Sequence, residues 1–275
     1  SAINSIKREH VRRLALLSDT DHERIAERFP DALRRTRGGL TFWGHFLRLS
    51  SYVRWRRPQI CPLCVQQRRM CLGEWDFTFS CVCLEHRCAL LDHCPTCSGP
   101  LRWDRPAIEW CGGQHFLGKA PKEPEPVAPE LYEMQSVIRA LLRRTELPKM
   151  SFEWSFSRPV SLNGWFSLIS AFGSMSKPYC QPSPGTFSTI PSSASVRSIS
   201  VRAYQRLKSF ALRGADCDES LQSLIADAPL LRIIRESGDG GDRAAAMAVY
   251  AFVAGEHTLE SVVNRSGLSI QLSLF

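Results

Sequence analysis

Apolar residues recur at helical intervals along most of the chain. Leu131, Met134, Ile138 and Leu141 repeat at three, four and three, which predicts an amphipathic helix. Near the start, Ile3, Ile6, Leu14 and Leu17 share a helical stripe with Val11 beside it. Asp21 is placed to cap a second short helix carrying Ile25 and Phe29, which Pro30 stops. "SLNGWFSLISAFGSM" is apolar on every side, so it predicts a largely buried helix with Ser161 as its cap. Helical patterns return over about 197–213, 219–235 and 242–254. The tail "HTLESVVNRSGLSIQLSLF" has the cadence of a helix-turn-helix with Gly267 at the turn, although glycine between two short helices is also an ordinary corner.

Two stretches break the helical pattern. "KAPKEPEPVAPE" is a proline-rich linker. Residues 174–200 are rich in serine and proline and read as a mobile connection. A third stretch, "GGLTFWGHFLRLSSYVRW", is aromatic-rich and is expected to pack the following segment onto the N-terminal helices.

That following segment changes the picture from a plain helical protein. Residues 61–97 hold eight of the eleven cysteines and two of the seven histidines. An odd cysteine count with paired CxxC spacing favours metal over disulfides. A CxxC knuckle turns both sulfurs toward one ion. "CPLC" at 61–64 and "CPTC" at 94–97 are such knuckles, and each needs two more donors. "CLEH" supplies Cys83 and His86, and "CGGQH" supplies Cys111 and His115. Two Cys3His sets follow in order: Cys61, Cys64, Cys83, His86, then Cys94, Cys97, Cys111, His115. Cys88 and His93 are alternatives for the place of His115. Gly112-Gly113 allows a tight turn between the last donors. Cys71, Cys81, Cys88, Cys180 and Cys217 are left over as small hydrophobes.

The fold class expected is therefore mainly α, with a small zinc-ribbon-like β component and two consecutive Cys3His modules between helical regions. The divisions are 1–57 (basic and helical), 58–118 (two zinc ions), 119–130 (linker) and 131–275 (helical). Both sets close at four donors, whereas a catalytic zinc keeps an open position. Glu85 lies beside His86 and is expected to point outward. No HExxH, P-loop, GxSxG or GxGxxG motif occurs. An enzyme is not expected. No run reaches the roughly 18 apolar residues of a membrane helix, and charges interrupt the start, so a soluble cytoplasmic protein is expected.

The net charge is +8, and residues 1–60 carry thirteen Lys or Arg against six Asp or Glu. Arg34, Arg35, Arg37, Arg54, Arg56 and Arg57 are the candidates for docking to nucleic acid or nucleoprotein; a solvated face is the plain alternative.

Together these residues resemble the TniQ/TnsD family of transposon target-selection proteins. The resemblance rests on Cys61 and Cys64, Trp75, Cys83 and His86, Leu90 or Leu91, Cys94 and Cys97, Leu101, and Cys111 with Gly112, over about 55 residues. The family often ends this array with two cysteines, where this chain has one and then His115. The family's proline-rich opening and "ESL-x-SWL"-like helix have no counterpart here, which leaves a shortened N-terminus or a divergent branch. The resemblance implies an adaptor that links target recognition to the transposon's AAA+ ATPase. Recognition would come from attachment-site DNA or from an RNA-guided Cascade complex in a CRISPR-associated transposon, commonly with a TniQ dimer. A zinc-ribbon or helix-turn-helix transcription regulator is the alternative. A metal-dependent nuclease is disfavoured, because magnesium needs oxygen-rich donor sets.

Overall fold

The computed structural model describes residues 8–26, 39–118, 127–152, 160–174, 191–213 and 219–255. The chain opens with α1 (Arg8–Ser18) and α2 (His22–Ala26). A hairpin follows, β1 (Leu40–Phe42) and β2 (His45–Leu47), then α3 (Pro62–Arg68) and a second hairpin, β3 (Val82–Cys83) and β4 (Cys88–Ala89). Six helices complete it: α4 (Pro129–Arg143), α5 (Leu162–Gly173), α6 (Ser193–Arg213), α7 (Glu219–Leu224), α8 (Asp227–Glu236) and α9 (Gly240–Ala254). The fold is mostly helical with few strands. No helix of the described residues is long and apolar enough to cross a membrane.

α5 is the hub. Eleven of its twelve residues are buried, because α4, α6, α8, α9 and β2 all pack around it. Its start matches the expected cap: Ser161 Oγ accepts the Gly164 N–H at 3.2 Å. Asp242, near the start of α9, accepts from both Ser161 N and Ser161 Oγ at 2.7 Å. One carboxylate thus ties two helix N-termini together, where positive dipole ends favour a negative charge.

β1 and β2 pair antiparallel with Leu40 opposite Leu47. Trp43 and Gly44 form the turn, both at positive φ (55° and 69°), which matches the right-handed twist of a two-residue hairpin. Packing on the N-terminal helices was expected, but among the described residues the core that this segment joins contains no residue of α1 or α2. Phe42, Leu47, Tyr52 and Val53 join one core with residues of α4, α5, α6, α8 and α9. Phe77, Phe79, Cys81 and Val82 of the metal segment enter the same core, with Phe166 of α5 between Phe77, Phe79 and Tyr52. The metal segment is thereby fastened to the later helices.

Several sequence readings shift. In α1, Val11 and Ala15 are buried while Leu14, Leu16 and Leu17 are exposed, so the buried face is one position away from the expected stripe. Asp21 does cap α2, accepting the Glu23 N–H at 3.0 Å. The single helix expected over 219–235 is two, broken at Ile225–Ala226. Pro229 has no N–H to give to Ile225, so a continuous helix would lose a bond and clash there. α6 begins at Ser193, inside the stretch read as mobile, and Val196 and Ser200 are buried. The helix-turn-helix tail lies outside the described residues, as do Ile3, Ile6, Phe29 and Pro30.

Candidate metal centre

Helix α3 and the β3–β4 hairpin deliver the first donor set. Cys61 is the N-cap of α3, with Pro62 at the first helical position, and its Sγ accepts the Cys64 N–H at 3.4 Å. Pro62 gives the knuckle its fixed φ without wasting a donor. Cys83 ends β3, and the turn to β4 returns His86 toward the knuckle, with Arg87 at φ 49°. Cys64 Sγ lies 3.8 Å from Cys83 Sγ and 3.2 Å from His86 Nδ1, and Cys61 Sγ lies 3.5 Å from His86 Nδ1. A tetrahedral ion with metal–sulfur bonds of about 2.3 Å needs sulfur–sulfur edges near about 3.8 Å. His86 Nε2 donates to Gln67 Oε1 at 2.9 Å, which holds the tautomer with Nδ1 turned to the sulfurs.

The second set is built from two tight turns. Cys94 N donates to Gly99 O and Ser98 N to Cys94 O, both at 2.8 Å, which closes the CPTC knuckle. Cys111 N donates to His115 O at 3.0 Å in the facing turn. The left-handed residue there is Gln114, at φ 59°, and not either glycine. At Gly113 space is tight instead, since a Cβ would sit 3.3 Å from the His115 ring. Cys97 Sγ lies 3.9 Å from Cys111 Sγ, and His115 Nδ1 lies 3.4 Å from it. Gly113 N and His115 N both donate to Cys111 Sγ at 3.3 Å, so the turn closes around that sulfur.

In each set the four donor atoms lie within 4.8 Å of one another, so either group has the chemistry and spacing to hold a metal ion. The fourth donor of the second set is His115; Cys88 lies instead beside Cys61, and His93 donates to Asp92 Oδ1 at 2.9 Å. Without a cation the three sulfurs of the first set keep their protons. Burial and then the Cys83 charge push Cys64 up to about 12, and contact with Cys61 followed by burial pushes Cys83 up as well. A bound cation removes that penalty, so binding releases protons.

Each set has its own small apolar shell. Trp75, Leu90 and Cys88 pack with Cys61, Cys64 and Cys83. Ile60, Val65, Leu101 and Leu117 pack with Cys94 and Cys111. Cys71 touches both shells, whereas Cys81 lies in the main core. Cys180 and Cys217 lie outside the described residues.

The candidate docking arginines divide. Arg56 and Arg57 are exposed. Arg54 is not: it is 1% exposed and corrects the expectation. Its guanidinium donates to Asp92 Oδ2 (2.7 Å), Arg57 O (2.9 Å) and Pro191 O (3.1 Å), so its charge is spent inside. Arg34, Arg35 and Arg37 lie outside the described residues. Residues 58–118 carry five arginines, no lysine and six acids, so the metal segment itself is not basic. Arg68 pairs with Glu85 at 2.8 Å, and Arg102 with Asp104 at 2.7 Å.

Sequence reasoning missed Asp92, Gln59 and Glu74. Gln59 Nε2 bonds Trp75 O at 2.9 Å and Phe77 O at 3.2 Å, and its Oε1 accepts from Ser193 Oγ at 2.8 Å. Glu74 takes a two-pronged bond from Arg139 at 2.6 and 2.9 Å. The available signal was a lone acid or amide inside an apolar run, as in "LLDHC". No family model, curated protein or solved structure matches this chain.

Proposed function

We propose that this chain is a non-catalytic, two-zinc adaptor for target selection in DNA transposition. In this reading it joins a target-recognition partner, either a Cascade-type RNA-guided complex or attachment-site DNA, to an AAA+ ATPase. One observation carries the reading. The residues that make the TniQ/TnsD resemblance are those that wrap the donor sets: Trp75 and Leu90 around the first, Leu101 beside the second. Zinc suits both sets, because thiolate and imidazole donors at tetrahedral spacing match its preferences.

The adaptor role also draws support from how the parts are joined. The metal segment is anchored on a helical body through Phe77, Phe79 and Arg54. Such a body can offer metal-fixed loops to one partner and helix faces to another. Working as a homodimer would double both surfaces.

The test is reconstitution. The purified zinc-loaded chain is expected to co-elute with the ATPase and with a guide complex or attachment-site duplex, and to leave DNA intact with magnesium or manganese. DNA cleavage that disappears on Glu85→Gln would overturn the reading. Tight binding to a defined duplex with no protein partner would replace it with a transcription regulator.

A further inference from the structure

The first donor set has a fifth sulfur beside it. Cys88 Sγ lies 3.5 Å from Cys61 Sγ, outside the four-donor group. Both cysteines are held by paired backbone. Cys88 sits opposite Cys83 in the β3–β4 ladder. Ile60, next to Cys61, exchanges two bonds with Leu91 at 2.9 and 2.8 Å. The contact is thus fixed from both sides of the turn. A disulfide needs sulfurs about 2.0 Å apart, so the two sulfurs have to close in from their 3.5 Å contact.

We propose that Cys88 is the resolving thiol of an oxidation site, and that peroxide links it to Cys61 and releases the metal from the first set. This rests on a metal occupying that set and is independent of the adaptor reading. The steps balance. The Cys61 thiolate attacks one oxygen of hydrogen peroxide, the O–O bond breaks, hydroxide leaves, and a sulfenic acid forms. The Cys88 sulfur then attacks the Cys61 sulfur, the S–O bond breaks, and the hydroxyl leaves as water with the thiol proton. Two thiol sulfurs lose two electrons in all, and peroxide gains them. Cys64, Cys83 and His86 remain, which is one donor short of a closed site. His86 is half-buried and faces the exposed side of the set, toward Gln67, so it marks the side on which a molecule as small as peroxide arrives. Among the described residues the second set has no such neighbour in its apolar shell: Cys71, which touches that shell, lies 3.9 Å from an Arg105 nitrogen.

The experiment uses the full zinc-loaded chain, with metal content measured before any oxidant is added. A failed metal reading is then seen separately. Peroxide is titrated while a chromogenic chelator reports zinc, and disulfides are mapped on unreduced peptides. The wild type is expected to lose one equivalent and to show a Cys61–Cys88 link. Cys88→Ala and Cys88→Ser are expected to keep both equivalents initially and to lose the first about tenfold more slowly. Equal release from the variants overturns the proposal, and so does a Cys61–Cys64 link in the wild type. If the variants fail to load, the wild-type map decides: a Cys61–Cys88 link sustains the proposal and its absence overturns it.

Discussion

Arg54 Nη2 lies 2.7 Å from Asp92 Oδ2, with the two side chains 0% and 7% exposed. This pair locks the approach to the first knuckle against the start of α6, because Asp92 Oδ2 also accepts the Ser193 N–H at 2.8 Å. Burial opposes the Asp92 charge, but bonds from His93 and Ser193 and the Arg54 charge hold its carboxyl below the usual range. Removing one partner strands the other. Arg54→Ala and Asp92→Ala are each expected to cost about 3–5 kcal/mol, and Arg54→Met with Asp92→Leu less than either single change. Chemical denaturation of the four proteins checks this. Since the folded pKa is lowered, the contribution is present above the ordinary carboxylate pKa and fades as pH falls through the folded value.

The same pair shows where sequence reading stopped. The eight donors were legible because tetrahedral chemistry imposes short, repeated spacings. Leu131, Met134 and Ile138 were legible because burial follows helical period. Arg54 was misplaced because a cluster of three arginines in four residues reads as surface charge, and its partner is 38 residues away. The break before α8 was missed because apolar spacing continues across it, while Pro229 decides the backbone. Leu14 and Leu17 misled because Val11 and Ala15 define a competing face of the same helix.

Metal content is the second prediction. The purified protein should hold two zinc equivalents, and His115→Ala or Cys64→Ser should each leave one. The two losses should differ in kind. Cys64 is buried in a shell with Trp75, whereas Cys97 of the second set is exposed. Cys64→Ser should therefore lower the thermal midpoint much more than His115→Ala. Calorimetric zinc titration in two buffers of different ionisation enthalpy should show proton release at neutral pH, because the thiols of the first set are pushed up without a cation.

Asp76 supplies a pH-dependent prediction. Burial pushes its carboxyl up to about 7. The folded state then binds more protons than the unfolded chain between the two pKa values, so this group's contribution falls as pH rises from about 4 to about 7. Asp76→Asn is expected to stabilise by on the order of 2 kcal/mol at pH 8 and to change little at pH 5. Urea midpoints at the two pH values read this directly. An equal effect at both would mean that the carboxyl keeps its ordinary pKa.

Gly164 separates packing from helix propensity. By propensity alone, alanine in a helix gains about 0.5–1 kcal/mol over glycine. Here an added Cβ would lie 2.1 Å from Asp242 Oδ1 and 2.5 Å from its Cγ. Asp242 is held close, because Ser161 N and Ser161 Oγ at the start of α5 bond its carboxylate. Gly164→Ala is therefore expected to destabilise by about 1–3 kcal/mol with an unchanged denaturant slope.

Arg56 and Arg57 test the adaptor reading at the proposed docking surface. They stand just before the first knuckle and are exposed, while Arg54 between the hairpin and the knuckle is consumed inside. The metal segment has no positive excess of its own, so in this reading the flanking arginines supply the attraction to a nucleoprotein beside it. Arg56→Glu with Arg57→Glu is expected to weaken association with the guide complex or duplex by about tenfold or more at moderate salt, and to flatten its salt dependence. Arg54 must be left intact, because its loss would unfold the region and mimic a docking defect. The double variant should keep both metal equivalents and the wild-type thermal midpoint. Arg57 contributes its carbonyl, not its side chain, to the Arg54 network, so the substitution spares that bond. Unchanged binding by a folded, metal-loaded double variant would make these two arginines a solvated face and leave the docking surface elsewhere.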